Sequence, residues 1–295
     1  MSGARPAGRV AERLYSVPPE ALFVLSGISM YAGASVAVVA FDYLPAAGVA
    51  WWRVLWAGLV VSLVRRAWRG PWTRRQVVLA GLFGSALAAM NLSFYLALDR
   101  LPLGTTVAIE FTGPVAVAVL GSRTRRSLGA LALTVAGVAV LADVQFEANA
   151  AGVVFALMAA AFWAGYIVLG ARVASEARAA DGLGIGMLVG ALVIAPVAAP
   201  RAMEFGDAPW VLLLALATAV LSNALPYGLD QVILQRIPRA RFAFLLALLP
   251  VTAAATGFVA LGQTPSWAEA AGIALVVVGI AVSERPARAE PPAPG

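Results

Sequence analysis

The sequence predicts an all-α, polytopic membrane protein whose ten transmembrane helices form two inverted five-helix repeats. Three observations carry that expectation: too little charge for a soluble surface, ten apolar runs of span length, and arginines confined to alternate loops. Of the 295 residues 61% are hydrophobic and 12% are charged, and mean hydropathy is +0.87. A soluble domain carries charge on about a quarter of its residues. Half that density cannot wrap a water-facing fold, whereas a bilayer is an apolar solvent in which helices satisfy their own backbone.

The spans follow in order along the chain. They are read at Ala21–Phe41, Pro45–Val64, Gln76–Leu98, Pro102–Gly121 and Leu128–Ala142, the fifth being short and without a clean polar flank. The remainder lie at Gly152–Ala171, Gly182–Ala199, Trp210–Leu229, Phe242–Gly262 and Trp267–Val282. A span needs about 20 apolar residues. The connections are short, which suits antiparallel neighbours. Residues 1–20 read as a cytoplasmic segment, 21–142 as the first repeat, 150–283 as the second, and 284–295, rich in Pro and Ala, as a disordered cytoplasmic tail.

All 21 basic residues are arginine. Eighteen fall in one set of loops: Arg5, Arg9, Arg13, Arg65, Arg66, Arg69, Arg74, Arg75, Arg123, Arg125, Arg126, Arg172, Arg178, Arg236, Arg239, Arg241, Arg285 and Arg288. The alternate loops hold Arg100 and Arg201, among the acids Asp42, Asp99, Asp143, Glu147, Glu204, Asp207 and Glu269. By the positive-inside rule, this places both termini and the arginine-rich loops in the cytoplasm, with the chain in the inner (plasma) membrane. Topology thus accounts for the net charge of +6, and no nucleic-acid partner is expected. Cysteine and histidine are absent, which removes disulfides, thiol chemistry and imidazole bases or ligands. No paired-Asp motif appears either, so no metal, cofactor or enzymatic activity is expected.

The two halves echo each other. Asn91, Tyr95, Arg100, Pro102, Pro114 and Gly121 match Asn223, Tyr227, Arg236, Pro238, Pro250 and Gly257. The offset is constant from Arg100 onward and differs by four residues, one helical turn, upstream of it. The repeats lie five helices apart, so the same element faces opposite sides of the membrane in each half. Such inverted repeats characterise alternating-access carriers; chance likeness among Leu- and Ala-rich helices is the competing explanation.

Pro114 and Pro250 fall in mid-span, where each frees the carbonyl four residues earlier, that of Glu110 and that of Leu246. A freed carbonyl in lipid must face protein or a watery cavity. Pro196 and Pro226 permit the same reading or a simple packing kink. Two charges lie about 12 Å inside the spans, Arg53 and Glu110. Each costs about 3 kcal/mol to insert, which marks a residue that faces the bundle interior. They permit two readings. One is a structural ion pair. The other is a binding site in which Arg53 takes a substrate carboxylate and Glu110 its ammonium, or in which Glu110 carries a coupling proton.

Asn91, Tyr95, Phe111, Trp163, Asn223 and Tyr227 are the further candidate lining residues, with Tyr31 and Tyr166. Mid-helix aromatics also serve packing alone. Asp230, near the inner end of the eighth span, reads as an inner gate or as a solvated interfacial acid. Trp51, Trp52, Trp72 and Trp210 read as interface-belt residues. Gly182, Gly186 and Gly190 form one stripe for close helix approach, to a neighbour within the protomer or to a second subunit.

The run Leu103–Val119, with Glu110-Phe111-Thr112-Gly113-Pro114 at its centre, resembles the drug/metabolite transporter superfamily, EamA type, on its threonine/homoserine exporter branch. Leu225–Asp230 and Leu234–Pro238 are similar to that branch's eighth helix, where the family places Glu at the position of Asp230. The resemblance spans residues 21–282 and implies proton-coupled efflux of amino acids such as threonine or homoserine. A passive channel, a membrane adaptor or a membrane-embedded enzyme are the competing classes; the echo and the mid-span charges favour a carrier.

Overall fold

The computed structural model describes residues 17–69, 71–121, 124–174, 179–226, 229, 233, 236–237 and 245–283. Tyr227 and Asp230, residues 1–16 of the N-terminal segment, and the tail 284–295 lie outside the described residues. The regular elements among the described residues are all helical, with no strand among them. Six helices are long and apolar enough to cross a membrane: α1 Pro19–Ala40, α2 Ala46–Val64, α3 Arg74–Leu98, α4 Leu103–Gly121, α5 Arg125–Gln145 and α6 Asn149–Gly170. Four shorter apolar helices follow: α7 Gly182–Ala198, α8 Val211–Asn223, α9 Leu246–Leu261 and α10 Trp267–Ser283.

Local chemistry explains where the helices start, break and stop. Pro19 opens α1, where its missing N–H costs nothing. Thr73 and Gln76 form a reciprocal capping box on α3, with both hydrogen bonds at 3.2 Å. Where the sequence predicts a loop between the fifth and sixth spans, the chain stays helical from Arg125 to Ala174. Asn149 alone departs, at φ −157° and ψ 72°. Its side chain accepts from Gly152 N at 3.2 Å, so one asparagine ends α5 and caps α6.

The two matched prolines sit at matched breaks. α4 runs as Leu103–Glu110 and Thr112–Gly121, joined at Phe111. In α9 a 3-10 turn, Leu246–Leu248, precedes Leu249–Leu261, with Pro250 in the first turn of the latter. In each case the break falls at the carbonyl the proline deprives of its donor. Thr112 Oγ1 donates to Ile109 O at 2.8 Å beside the first of these. Pro196, by contrast, lies within a helix that continues through it.

Glycines set the closest crossings. A Cβ on Gly84 of α3 would collide with the backbone of Gly186 on α7, and one on Gly190 with Gly84. The α7 stripe therefore packs inside the protomer. Gly33 abuts Ser222, Gly113 abuts Ala160, Gly104 abuts Ala254, and Gly137 meets Gly272. Taken together, the packings run in a ring, α1–α8–α2–α7–α3–α6–α4–α9 and back to α1, with α5 and α10 paired outside it.

Candidate functional site

The ring encloses a cavity of about 350 Å³. Into it project Arg53 from α2, Asn91 and Tyr95 from α3, Glu110 and Phe111 from α4, Trp163 and Tyr166 from α6, Asn223 from α8 and Tyr31 from α1. Every candidate lining residue within the described chain is thus brought to one space. Pro114 and Pro250 do not line it; they set the breaks that turn Glu110, Phe111, Leu246 and Leu249 toward it.

Arg53 is 9% exposed and anchored by three groups. Its Nη1 donates to Asn91 Oδ1, its Nη2 donates to Asn223 Oδ1 at 3.0 Å, and its guanidinium carbon lies 5.2 Å from the Tyr95 ring centroid. Asn91 in turn donates Nδ2 to Leu87 O at 2.8 Å, which fixes which way its amide points. The guanidinium is therefore bridged across α3 and α8 in a planar fork, the geometry only arginine provides. Among the described residues, its Nε and the Tyr95 hydroxyl are enclosed with no hydrogen-bond partner.

Glu110 lies within the same cavity, 7% exposed, and makes no contact ion pair with Arg53. Among the described residues its carboxylate has no hydrogen-bonding or ion-pairing side chain, and the pairs Arg100–Asp99 and Arg201–Glu204 are peripheral. The site thus holds a guanidinium and a carboxyl group apart in one aromatic-walled space. Phe111 meets Trp163 edge to face at 4.9 Å, and Tyr95 meets Phe41 at 5.9 Å. Such an arrangement can receive both ends of a zwitterion, each by charge-assisted hydrogen bonds.

The lining is lopsided along the bundle. Phe23 and Ser26 belong to the first turns of α1, Leu246 and Leu249 to the first turns of α9, and Pro226 follows α8. All lie toward the arginine-rich end. At the other end Leu44, Leu98, Leu101 and Leu103 are at most 4% exposed and close the bundle.

Sequence reasoning missed several residues. Ser26 and Ser222 line the cavity, and a π-helical turn, Val220–Ala224, contains Asn223. Pro226 just beyond was the available signal, because a proline removes the donor a regular turn needs. Glu269, read as an outer-loop acid, is instead 7% exposed and accepts from Gln145 Nε2 at 2.7 Å and Ser266 N at 2.8 Å. Its capping-box spacing to Ser266 carried that information. Trp51, read as a belt residue, donates its indole N–H to Ala191 O on α7 at 3.0 Å and so braces two helices.

Comparison with known proteins gives the family. The EamA-like transporter family model matches residues 150–284. The threonine/homoserine exporter RhtA of Salmonella typhimurium (strain SL1344) is 33% identical over 279 residues, covering 92% of this chain and 93% of its own. RhtA of Escherichia coli (strain K12) is 35% identical over 252 residues, covering 83% and 84%. The chain belongs to the EamA-like transporter family.

Membership makes this EamA-like protein a multi-pass inner-membrane exporter of a small metabolite, related to proteins of amino-acid efflux. A crystal structure at 20% identity, covering 90% of this chain and 96% of its own with a TM-score of 0.55, has the same fold.

Proposed function

We propose that this EamA-like exporter carries a zwitterionic amino acid of the threonine/homoserine kind out of the cell, driven by proton antiport. The observation that carries the reading is the guanidinium of Arg53 and the carboxyl group of Glu110, set apart in one cavity with no ion pair between them. Arg53 receives the substrate carboxylate through the N–H groups its two asparagines leave over. Glu110 receives the ammonium, and takes a proton when the substrate has left. Tyr31, Asn91, Tyr95, Phe111, Trp163 and Asn223 shape the space between; Tyr227 and Asp230, outside the described residues, complete the proposed set of lining and gating residues.

The order of packing supports alternating access. Exchanging each helix with the one five later maps the ring α1–α8–α2–α7–α3–α6–α4–α9 onto itself in the reverse sense. Reversal is what a two-fold axis lying in the membrane plane produces, and it supports two inverted repeats, residues 21–142 and 150–283. The α2–α7 and α4–α9 crossings lie on that axis. With both termini cytoplasmic, the lining of the cavity corresponds to an inward-facing state.

The test is a panel of amino acids in inverted vesicles, with and without an imposed proton gradient. Saturable, gradient-dependent uptake of threonine or homoserine is the expected result. Uptake that never saturates for any solute would replace the carrier with a channel, and saturable uptake indifferent to the gradient would remove the proton.

A further inference from the structure

Asn91 and Asn223 reach the same guanidinium by different routes. Asn91 sits in regular helix. Asn223 sits in the π turn Val220–Ala224, in which Leu225 N bonds Val220 O five residues back. A π turn adds a residue to the helix, rotating everything beyond it by about 100° relative to an uninterrupted α-helix. The next donor in that register belongs to Pro226, which has no N–H, so Leu221 O loses its partner within α8.

A neighbouring helix supplies it. Ser29 Oγ on α1 donates to Leu221 O at 2.8 Å, and Ser222 Oγ donates back to Met30 O at 2.9 Å. Ser26 Oγ lies 3.5 Å from Pro226 O. Gly33 makes room: a Cβ there would stand 2.9 Å from Leu221 Cβ and 3.0 Å from Ser222 N. Ser26, Ser29, Met30 and Gly33 have the spacing i, i+3, i+4, i+7, one face of α1.

We propose that α1 is a splint for the π turn, and that Ser29 is the positioning residue that keeps Asn223 aimed at Arg53. The inference rests on Arg53 and Asn223 forming the substrate site. Loss of the Ser29 hydroxyl strands the Leu221 carbonyl, lets α8 relax out of the π register and turns Asn223 away, so that the guanidinium loses one of its two anchors.

The chain has no cysteine, so Asn223→Cys introduces a single thiol whose rate of modification by a small maleimide reports its orientation. Ser29→Ala, and independently Gly33→Ala, are expected to change that rate at least fivefold. Ser29→Thr restores it, and a thiol at Asn91→Cys is unaffected by either change. In efflux assays Ser29→Ala raises KM several-fold in the native background and adds nothing to Asn223→Ala. Ser85→Ala, which removes a hydroxyl bonded to Gly81 O on α3, changes neither readout. Equal labelling of the Asn223→Cys thiol with and without the Ser29 hydroxyl, or KM effects of Ser29→Ala and Asn223→Ala that multiply, overturns the proposal. Should labelling respond while Arg53→Ala and Asn223→Ala leave efflux intact, the splint stands and the binding-site reading fails.

Discussion

Asn91 on α3 and Asn223 on α8 accept hydrogen bonds from the two terminal nitrogens of one guanidinium, that of Arg53. The same two residues are matched by the echo between the chain's halves. Arg53 therefore ties α3 to α8 at the wall of the cavity.

A lysine cannot reproduce that tie. An ammonium is a compact point charge and does not present the in-plane fork that meets two amide oxygens on opposite helices. Arg53→Lys is expected to raise KM for the transported amino acid about tenfold or more, or about 1.4 kcal/mol. Arg53→Ala abolishes efflux with membrane insertion intact. Saturation curves in inverted vesicles at matched protein levels check both, and native KM in the lysine variant would refute the bidentate role.

Glu110→Gln keeps the volume of the side chain while removing its charge and its capacity to cycle a proton. The expected outcome is loss of any acceleration by a proton gradient and a large rise in KM for the substrate, measured on the same vesicles with the gradient imposed or collapsed. Gradient-driven efflux at the native level in this variant would take Glu110 out of both roles.

How much of this was legible in the sequence depended on whether the signal was one-dimensional. Where the residues are described, helix positions came through within a few residues, because hydropathy is local. Arg53 and Glu110 were found because a charge at mid-span is expensive wherever it points. Their relationship was not, since a contact ion pair and separate partners fit the same spacing; it took the packing of α2 against α8 to deliver Asn223 to Arg53. The π turn escaped for the same reason, as its stability comes from Ser29, nearly two hundred residues away. Asn149 was missed because a helical connection differs from a loop at that single residue.

The α3–α7 crossing is predicted to be intolerant of the smallest side chain. Gly84→Ala places a methyl group against the backbone of Gly186, which has no flexible end to yield. Overpacking of this kind costs about 1–3 kcal/mol. Gly165→Ala on α6 meets open space and is expected to be neutral, or to stabilise by up to about 1 kcal/mol through helix propensity. Thermal unfolding in detergent, followed by size-exclusion, separates the two; equal melting temperatures would refute the close approach.

Glu269 offers the complementary case, a buried acid with a structural task. Its Oε1 accepts from Gln145 of α5 at 2.7 Å and from Thr105 of α4 at 3.3 Å, and its Oε2 from Ser266 N at 2.8 Å. Ser266 Oγ accepts from Glu269 N at 3.2 Å, completing the cap of α10. Beside it Gln263 Oε1 accepts from Leu103 N at 2.9 Å at the start of α4. These bonds fasten adjoining ends of three helices, away from the cavity. Glu269→Ala leaves three donors without their acceptor, and hydrogen bonds to a charged group are worth about 1.5–3 kcal/mol each before relaxation. The variant is expected to melt several degrees lower, Glu269→Gln by less, and the folded fraction of each to transport with native KM. Arg53→Ala and Glu110→Gln should show the reverse, lost transport with little change in melting. Measuring both quantities on all four variants tells the structural acid from the functional one, and loss of transport in Glu269→Ala at an unchanged melting temperature would reverse the assignment.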